Sequence, residues 1–326
     1  MYSDDEKLLI EHCKKILYDR RIQNKIVVLC EGQGSILESG NRKTVVNYSR
    51  MEQLPDANFY KRCLPKSWIK NKPEFFNCKS QANVINTYFA LLELHEKDNQ
   101  KTIEQRKSYL SPDLLFAIVD LDLQPQKLNN YPFQDTEKIF YDIYKQAQIN
   151  AAISDNHQIW VTGLIHKESY FIIPELQELF DTHIYNPIYN GKPLVLKDIY
   201  IDMVDAIVSE ADLKTNLKRA SNRVNHCSKL DCSSVENLRD SWKDEFNNAI
   251  DETVKNKLIY ALLMIKKAKE FWEKKIEPPS DWNNSAQRFQ EQLMLEIAKF
   301  YSEQTDYQKY HIPYFLQTLR KLVINL

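Results

Sequence analysis

The sequence predicts an α/β fold, a mostly parallel sheet flanked by helices, followed by a C-terminal all-helical domain. Three observations lead there. Apolar runs at residues 25–30, 114–119 and 157–163 read as strands buried on both faces, as in parallel sheets. Stretches of helical spacing lie before and between them, long enough to serve as crossovers. Beyond residue 195 only helical spacing recurs, and all 5 glycines lie before residue 192, so the special turns belong to the first part of the chain. We expect an α/β domain over 1–193 with an insertion at about 41–78, and a helical domain over 194–326.

Composition narrows the function classes. A chain of 326 residues, 43% hydrophobic and 27% charged, has room for one large domain and a smaller one. A net charge of -1 gives no global basic field, so contact with nucleic acid must come from local patches. The acidic start lacks a signal-peptide core, and no apolar run approaches the roughly 18 residues of a membrane span. The expectation is a cytoplasmic protein with no membrane association. The 6 cysteines are scattered, with no CxxC pair, which suits reduced, buried thiols. His226, Cys227 and Cys232 have no second ligand pair, so zinc is not expected.

Taken in order, residues 6–21 have helical spacing and lead into the strand at 25–30, followed at once by Glu31-Gly32-Gln33-Gly34. A carboxylate and glycines after a buried strand fit either close backbone approach to a ligand or simply a tight turn. Residues 41–78 read as irregular. Within them Lys61, Arg62, Lys66, Lys70 and Lys72 interleave with Phe59, Tyr60 and Trp68, without an acid between 58 and 73. Such a segment suits a phosphate backbone with unstacked bases; the plainer alternative is a solvated loop pinned down by its aromatics. A short strand at 74–78 and an amphipathic helix over 81–96 precede the central strand.

That strand runs into Asp120-Leu121-Asp122. Residues two apart on an extended segment point the same way, so both carboxylates can reach one cation. Two such oxygens are a typical protein share of a magnesium site, completed by water and substrate phosphates. The plainer reading makes one aspartate a turn residue and the other the cap of a helix starting near Thr136. A helix over 136–152, the strand at 157–163 and a third acid after a strand, Glu168, follow. A helix is expected over 175–180, then over 204–223, 235–246, 249–275, 285–301 and 314–324. Lys214, Lys218, Arg219 and Arg223 would give the first of these last five a basic edge, either merely solvated or open to nucleic acid or a partner.

Glu31-Gly32, Asp120-Leu121-Asp122 and the run from Lys167-Glu168-Ser169-Tyr170 to Pro174 together resemble the Toprim domain of topoisomerases, bacterial primases, recombination proteins and overcoming-lysogenization-defect nucleases. The resemblance spans about 24–175. Ser35 and His166 stand where many members carry acids. It implies a Toprim-like core with Mg2+ or Mn2+ held by Glu31, Asp120 and Asp122, Glu31 and Glu168 in catalytic roles, and DNA or RNA as substrate. It further implies an anti-phage setting with a defence protein as partner and leaves a homodimer open. A primase-like polymerase would use the same acids, but no zinc module is visible; a topoisomerase would need a nucleophilic tyrosine beside the metal site, and no cleavage-domain pattern is visible around the 18 tyrosines. A non-catalytic adaptor on the same fold is the main alternative to a nuclease.

Overall fold

A computed structural model describes residues 4–32, 55–145, 148–151, 157–182 and 186–324. The chain forms two compact units that interleave along the sequence. The first is Met1–Val119, Ser154–Val161 and Ala298–Leu326; the second is Asp120–Ile153 and Thr162–Ile297. The change expected at 193 to 194 therefore falls inside the second unit. The end of the chain, expected in the helical domain, belongs instead to the first unit: Tyr314 and Phe315 of its last helix pack on Trp160 of the sheet, with ring centroids 6.1 and 5.0 Å away.

In the first unit, α1 (Asp4–Leu17) precedes β1 (Val27–Cys30), α2 (Pro55–Arg62), β2 (Glu74–Asn77), α3 (Gln81–Asn99) and β3 (Leu115–Val119). The chain then passes through α4 (Thr136–Ile143) and the hairpin β4 (Tyr144–Lys145) and β5 (Gln148–Ile149) of the second unit. It returns as β6 (Ile159–Val161). The four strands are all parallel, in the order β2-β1-β3-β6, with Val28 aligned to Phe75 and Phe116, and Ile118 to Trp160. Every residue of β1 and β3 is buried, as their unbroken apolar character predicts. Helix α3 starts at Ser80, whose hydroxyl accepts from Asn83 N. It lies against β1, β3 and α1, with Val84, Ile85, Tyr88 and Leu91 buried. The Tyr88 hydroxyl donates to Gln158 Oε1 (2.9 Å), and Gln158 Nε2 donates to Pro112 O (3.0 Å), tying the start of β6 to the approach of β3.

The second unit is mostly helical, with a small antiparallel sheet of β7 (Ile188–Tyr189), β8 (Lys192–Pro193) and β9 (Ile276–Glu277). Three of its helices are shorter or more divided than the spacing predicts, while the one expected over 235–246 forms as Val235–Asn248. The one expected over 136–152 stops at Ile143, because Tyr144 turns extended and opens the β4-β5 hairpin; residues 146, 147 and 152 lie outside the described part. The one expected over 204–223 is divided among Leu196–Asp205, a 3-10 turn at Ala206–Ser209, Ala211–Thr215 and Leu217–Val224. At the last break Thr215 Oγ1 donates to Ala211 O and Asn216 Nδ2 donates to Asp212 O, side chains competing for helix carbonyls. The one expected over 249–275 is Glu252–Leu263 and Lys269–Lys275. There, Leu263 O accepts from Ile165 N and Met264 O from Arg223 Nη1. No described helix is long and apolar enough to cross a membrane.

One packing detail of α1 has a pH signature. His12 Nε2 lies 3.7 Å from Cys78 Sγ, and burial, then Lys15 and Lys79, lower its pKa to about 4. The folded state thus disfavours the imidazolium, whose unfolded value is about 6.5. This contribution is complete above pH 6.5 and is lost as pH falls toward 4, by an amount on the order of 1 to 3 kcal/mol. Urea unfolding across that window should show the decline, and His12→Gln should flatten it; an unchanged slope in the variant would contradict the assignment.

Candidate functional site

Beyond β3 the chain alternates. Leu121 and Leu123 are buried, while Asp120 is half-buried and the Asp122 side chain is 33% exposed. Burial thus alternates along 120–123, with the two aspartates the more exposed residues. Leu121 N donates to Thr162 Oγ1 (3.0 Å), and that hydroxyl donates to Leu164 O (2.7 Å), fastening this exit to the turn after β6. Neither aspartate caps α4. Asp135 does, accepting from Lys138 N at 2.9 Å.

The Asp122 carboxylate already has a cationic partner. Its Oδ1 accepts from Leu123 N at 3.0 Å and lies 3.3 Å from Lys267 Nζ and 3.9 Å from His166 Nε2. Lys267 Nζ also lies 3.1 Å from Asp212 Oδ2. Burial pushes the Asp122 carboxyl up, but the imidazole and the ammonium outweigh it and hold the pKa at about 2. The imidazole is beyond hydrogen-bond length, so Lys267 is the main physical partner. Asp122 is ionised at any physiological pH.

The run after β6 folds as a 3-10 turn, Lys167–Phe171, with all five residues buried. Glu168 Oε1 faces Lys167 Nζ at 3.8 Å, and that ammonium also lies 5.9 Å from the centre of the Phe171 ring. Tyr170 is structural. Its hydroxyl accepts from Gly163 N (2.8 Å) and Leu164 N (3.2 Å), and burial raises its pKa well above the usual phenol value.

Glu31 belongs to the first unit and directly follows β1, half-buried. Gly32 has φ +147°, and a Cβ there would meet Asn77 Oδ1 and Asp56 Oδ2 at 2.8 Å. Asn77 cannot easily give way, since its Oδ1 accepts from Ala57 N and Cys30 Sγ. Glycine is therefore required by both backbone and packing. Gln33, Gly34 and Ser35 lie outside the described residues, as does the 41–54 part of the expected insertion.

The two basic features divide. Phe59, Tyr60 and Trp68 are buried, so in the described structure they pin the segment and offer no stacking platform. Lys66 is exposed and pairs with Glu303 at 2.8 Å, while Lys61, Arg62, Lys70 and Lys72 are also exposed. The edge of Lys214, Lys218, Arg219 and Arg223 does not form as expected. Lys214 and Lys218 are exposed, but Arg219 Nη1 turns inward to Leu123 O and Asn216 Oδ1. The Arg223 side chain is 0% exposed, paired with Glu137. It also donates to Asp122 O (2.8 Å) and Met264 O (3.3 Å).

No family model, curated protein or solved structure matches this chain. Among the described residues, no three His, Cys, Asp or Glu side chains gather as a metal-holding group. The donors at Asp122 are nevertheless hard, ionised oxygens, and magnesium commonly takes only one or two carboxylates. In kind they fit such a cation. Lys267, Glu137, Thr162 and Asp56 were not singled out by spacing. Only Lys266-Lys267, a charged pair closing an apolar stretch, carried a signal that could have been followed.

Arg223 offers a stability test. Arg223→Met leaves the Glu137 carboxylate without its buried partner and should cost about 3 to 5 kcal/mol in urea unfolding. Adding Glu137→Leu should recover part of the loss. A change below about 1 kcal/mol in the single variant would contradict a buried pair.

Proposed function

We propose that the protein is a metal-dependent hydrolase of phosphodiester bonds in DNA or RNA, on a Toprim-like α/β core. The supporting observation is the strand order. In β2-β1-β3-β6 the connections leave in opposite directions on either side of the β1/β3 junction, and open α/β sheets bind ligands outside the carboxyl ends of strands at such a switch point. The two strands that meet there are the ones followed directly by Glu31 and by Asp120.

In this reading Asp120 and Asp122 hold Mg2+ or Mn2+, which supplies charge neutralisation for a phosphoryl oxygen. The Toprim resemblance alone adds Glu31, as a further metal ligand or as the base that takes a proton from the attacking water. Water oxygen bonds to phosphorus, the ester P–O bond breaks, and the departing alkoxide takes a proton from solvent. Glu168 is an acid near the second turn that positions water. Exposed Lys61, Arg62, Lys70 and Lys72, with Lys66, supply sequence-independent phosphate contacts on the first unit. By analogy with Toprim nucleases, the setting is cytoplasmic anti-phage defence with a partner protein. A non-catalytic adaptor is favoured by one observation: Asp122 and Glu168 each already face a lysine.

Labelled single- and double-stranded DNA and RNA, incubated with Mg2+ or Mn2+, separate the two. The hydrolase reading expects cleavage that falls at least tenfold, about 1.4 kcal/mol in the barrier, in Glu31→Ala and in Asp122→Asn. Retained binding without cleavage of any substrate by the wild-type protein would favour the adaptor.

A further inference from the structure

We propose that Lys267 is an internal cation that competes with a divalent metal for Asp122, and that Asp212 receives it when the metal binds. This rests on the metal-site reading above and adds a residue that sets the site's metal affinity.

The geometry singles out Lys267. Its ammonium lies between two carboxylates, 3.3 Å from Asp122 Oδ1 and 3.1 Å from Asp212 Oδ2. Its side chain is 27% exposed, with Asp122 at 33% and Asp212 at 40%, so water reaches the cluster. The preceding residue shows what a fixed lysine looks like in the same turn. Lys266 is 3% exposed, held by Glu210 and Glu270, and its departure would strand a buried charge. Lys267 pays no such penalty, because leaving Asp122 keeps it on Asp212.

Asp122 is also prepared to stay in place. Arg223 Nη2 donates to its backbone oxygen, and Leu123 N donates to its Oδ1, so the carboxylate is held independently of the lysine. A divalent ion at that oxygen carries twice the charge of the ammonium and is attracted more strongly at equal distance. Lysine suits exchange better than arginine would, since it binds as a single point charge on a flexible stem rather than as a planar two-pronged fork. Apparent metal affinity would thus be the difference between two cations at one carboxylate. Charge removal alone would also strengthen metal binding, so the discriminating quantity is the coupling between Lys267 and Asp212.

Mn2+ titration of the full chain by calorimetry, without nucleic acid, measures it. Lys267→Met should tighten the apparent Kd by about fivefold or more, through loss of the competing charge. Lys267→Gln should do the same and serves if the methionine variant folds poorly. Lys218→Met, which removes an exposed charge elsewhere, should leave it within about twofold, as screening predicts. Asp212→Asn should weaken binding about threefold when Lys267 is present and have no effect when it is absent, the non-additivity of a coupled pair. An equal effect of Asp212→Asn in both backgrounds would overturn the proposal in favour of a simple field effect. An unchanged Kd in both Lys267 variants, with binding lost in Asp122→Asn, would overturn it while the metal site stands. Absence of saturable binding in wild type and in both Lys267 variants would remove the metal reading and this proposal with it.

Discussion

A fully buried guanidinium has to find acceptors for its fixed fork of donors, and Arg223 finds them on three separate stretches of chain. Glu137 at the start of α4 neutralises it, Asp122 O takes a second direction, and Met264 O takes a third. Its plane also lies over Phe140, 5.8 Å from the ring centre. The arrangement imposes order on the second unit. The segment after β3 cannot shift without stranding a buried donor, and the carbonyls left over where the helix ends at Leu263 are taken up by Ile165 N and Arg223. The candidate site inherits its geometry from this structural residue. The same turn at Met264 leads to Lys267, the cation that faces Asp122.

The sheet sets a second constraint. Strands buried on both faces cannot carry charge within them, so acids are admitted only where a strand leaves the core. Glu31 and Asp120 occupy such places after adjacent strands, and Gly32 shows how tightly the first of these exits is packed against Asn77 and Asp56. Asp56 brings another carboxyl group close to the Glu31-Gly32 turn. In the second unit, Lys267 and Lys167 are the counter-ions of Asp122 and Glu168.

Much of the architecture was legible because it depends on local composition. The apolar runs of β1 and β3, the face of α3 and the alternation at Asp120 to Leu123 follow from side-chain period alone. What was not legible depends on partners far away in sequence. Nothing near residue 264 announces that Arg223 and Ile165 will claim the carbonyls that a longer helix would have used. Nothing near Arg223 distinguishes it from Lys218, although one is buried on Glu137 and the other is in water. The aromatics among the cations at 58–73 allowed two readings of their own role, base stacking or packing, and only their burial shows that Phe59, Tyr60 and Trp68 pack inward. Lys267 was overlooked for the same reason: a lysine in a turn acquires meaning only from the carboxylates that folding brings to it.

A metal-dependent function requires that the acids after β3 form a site for a hard cation. Anomalous scattering from crystals grown with Mn2+ addresses this most directly. The expected result is a manganese peak within about 2.3 Å of an Asp122 carboxylate oxygen, with Asp120 in the same coordination sphere and the Lys267 ammonium turned to Asp212. A map with no manganese at Asp122, and with Lys267 still seated against its carboxylate, would contradict it.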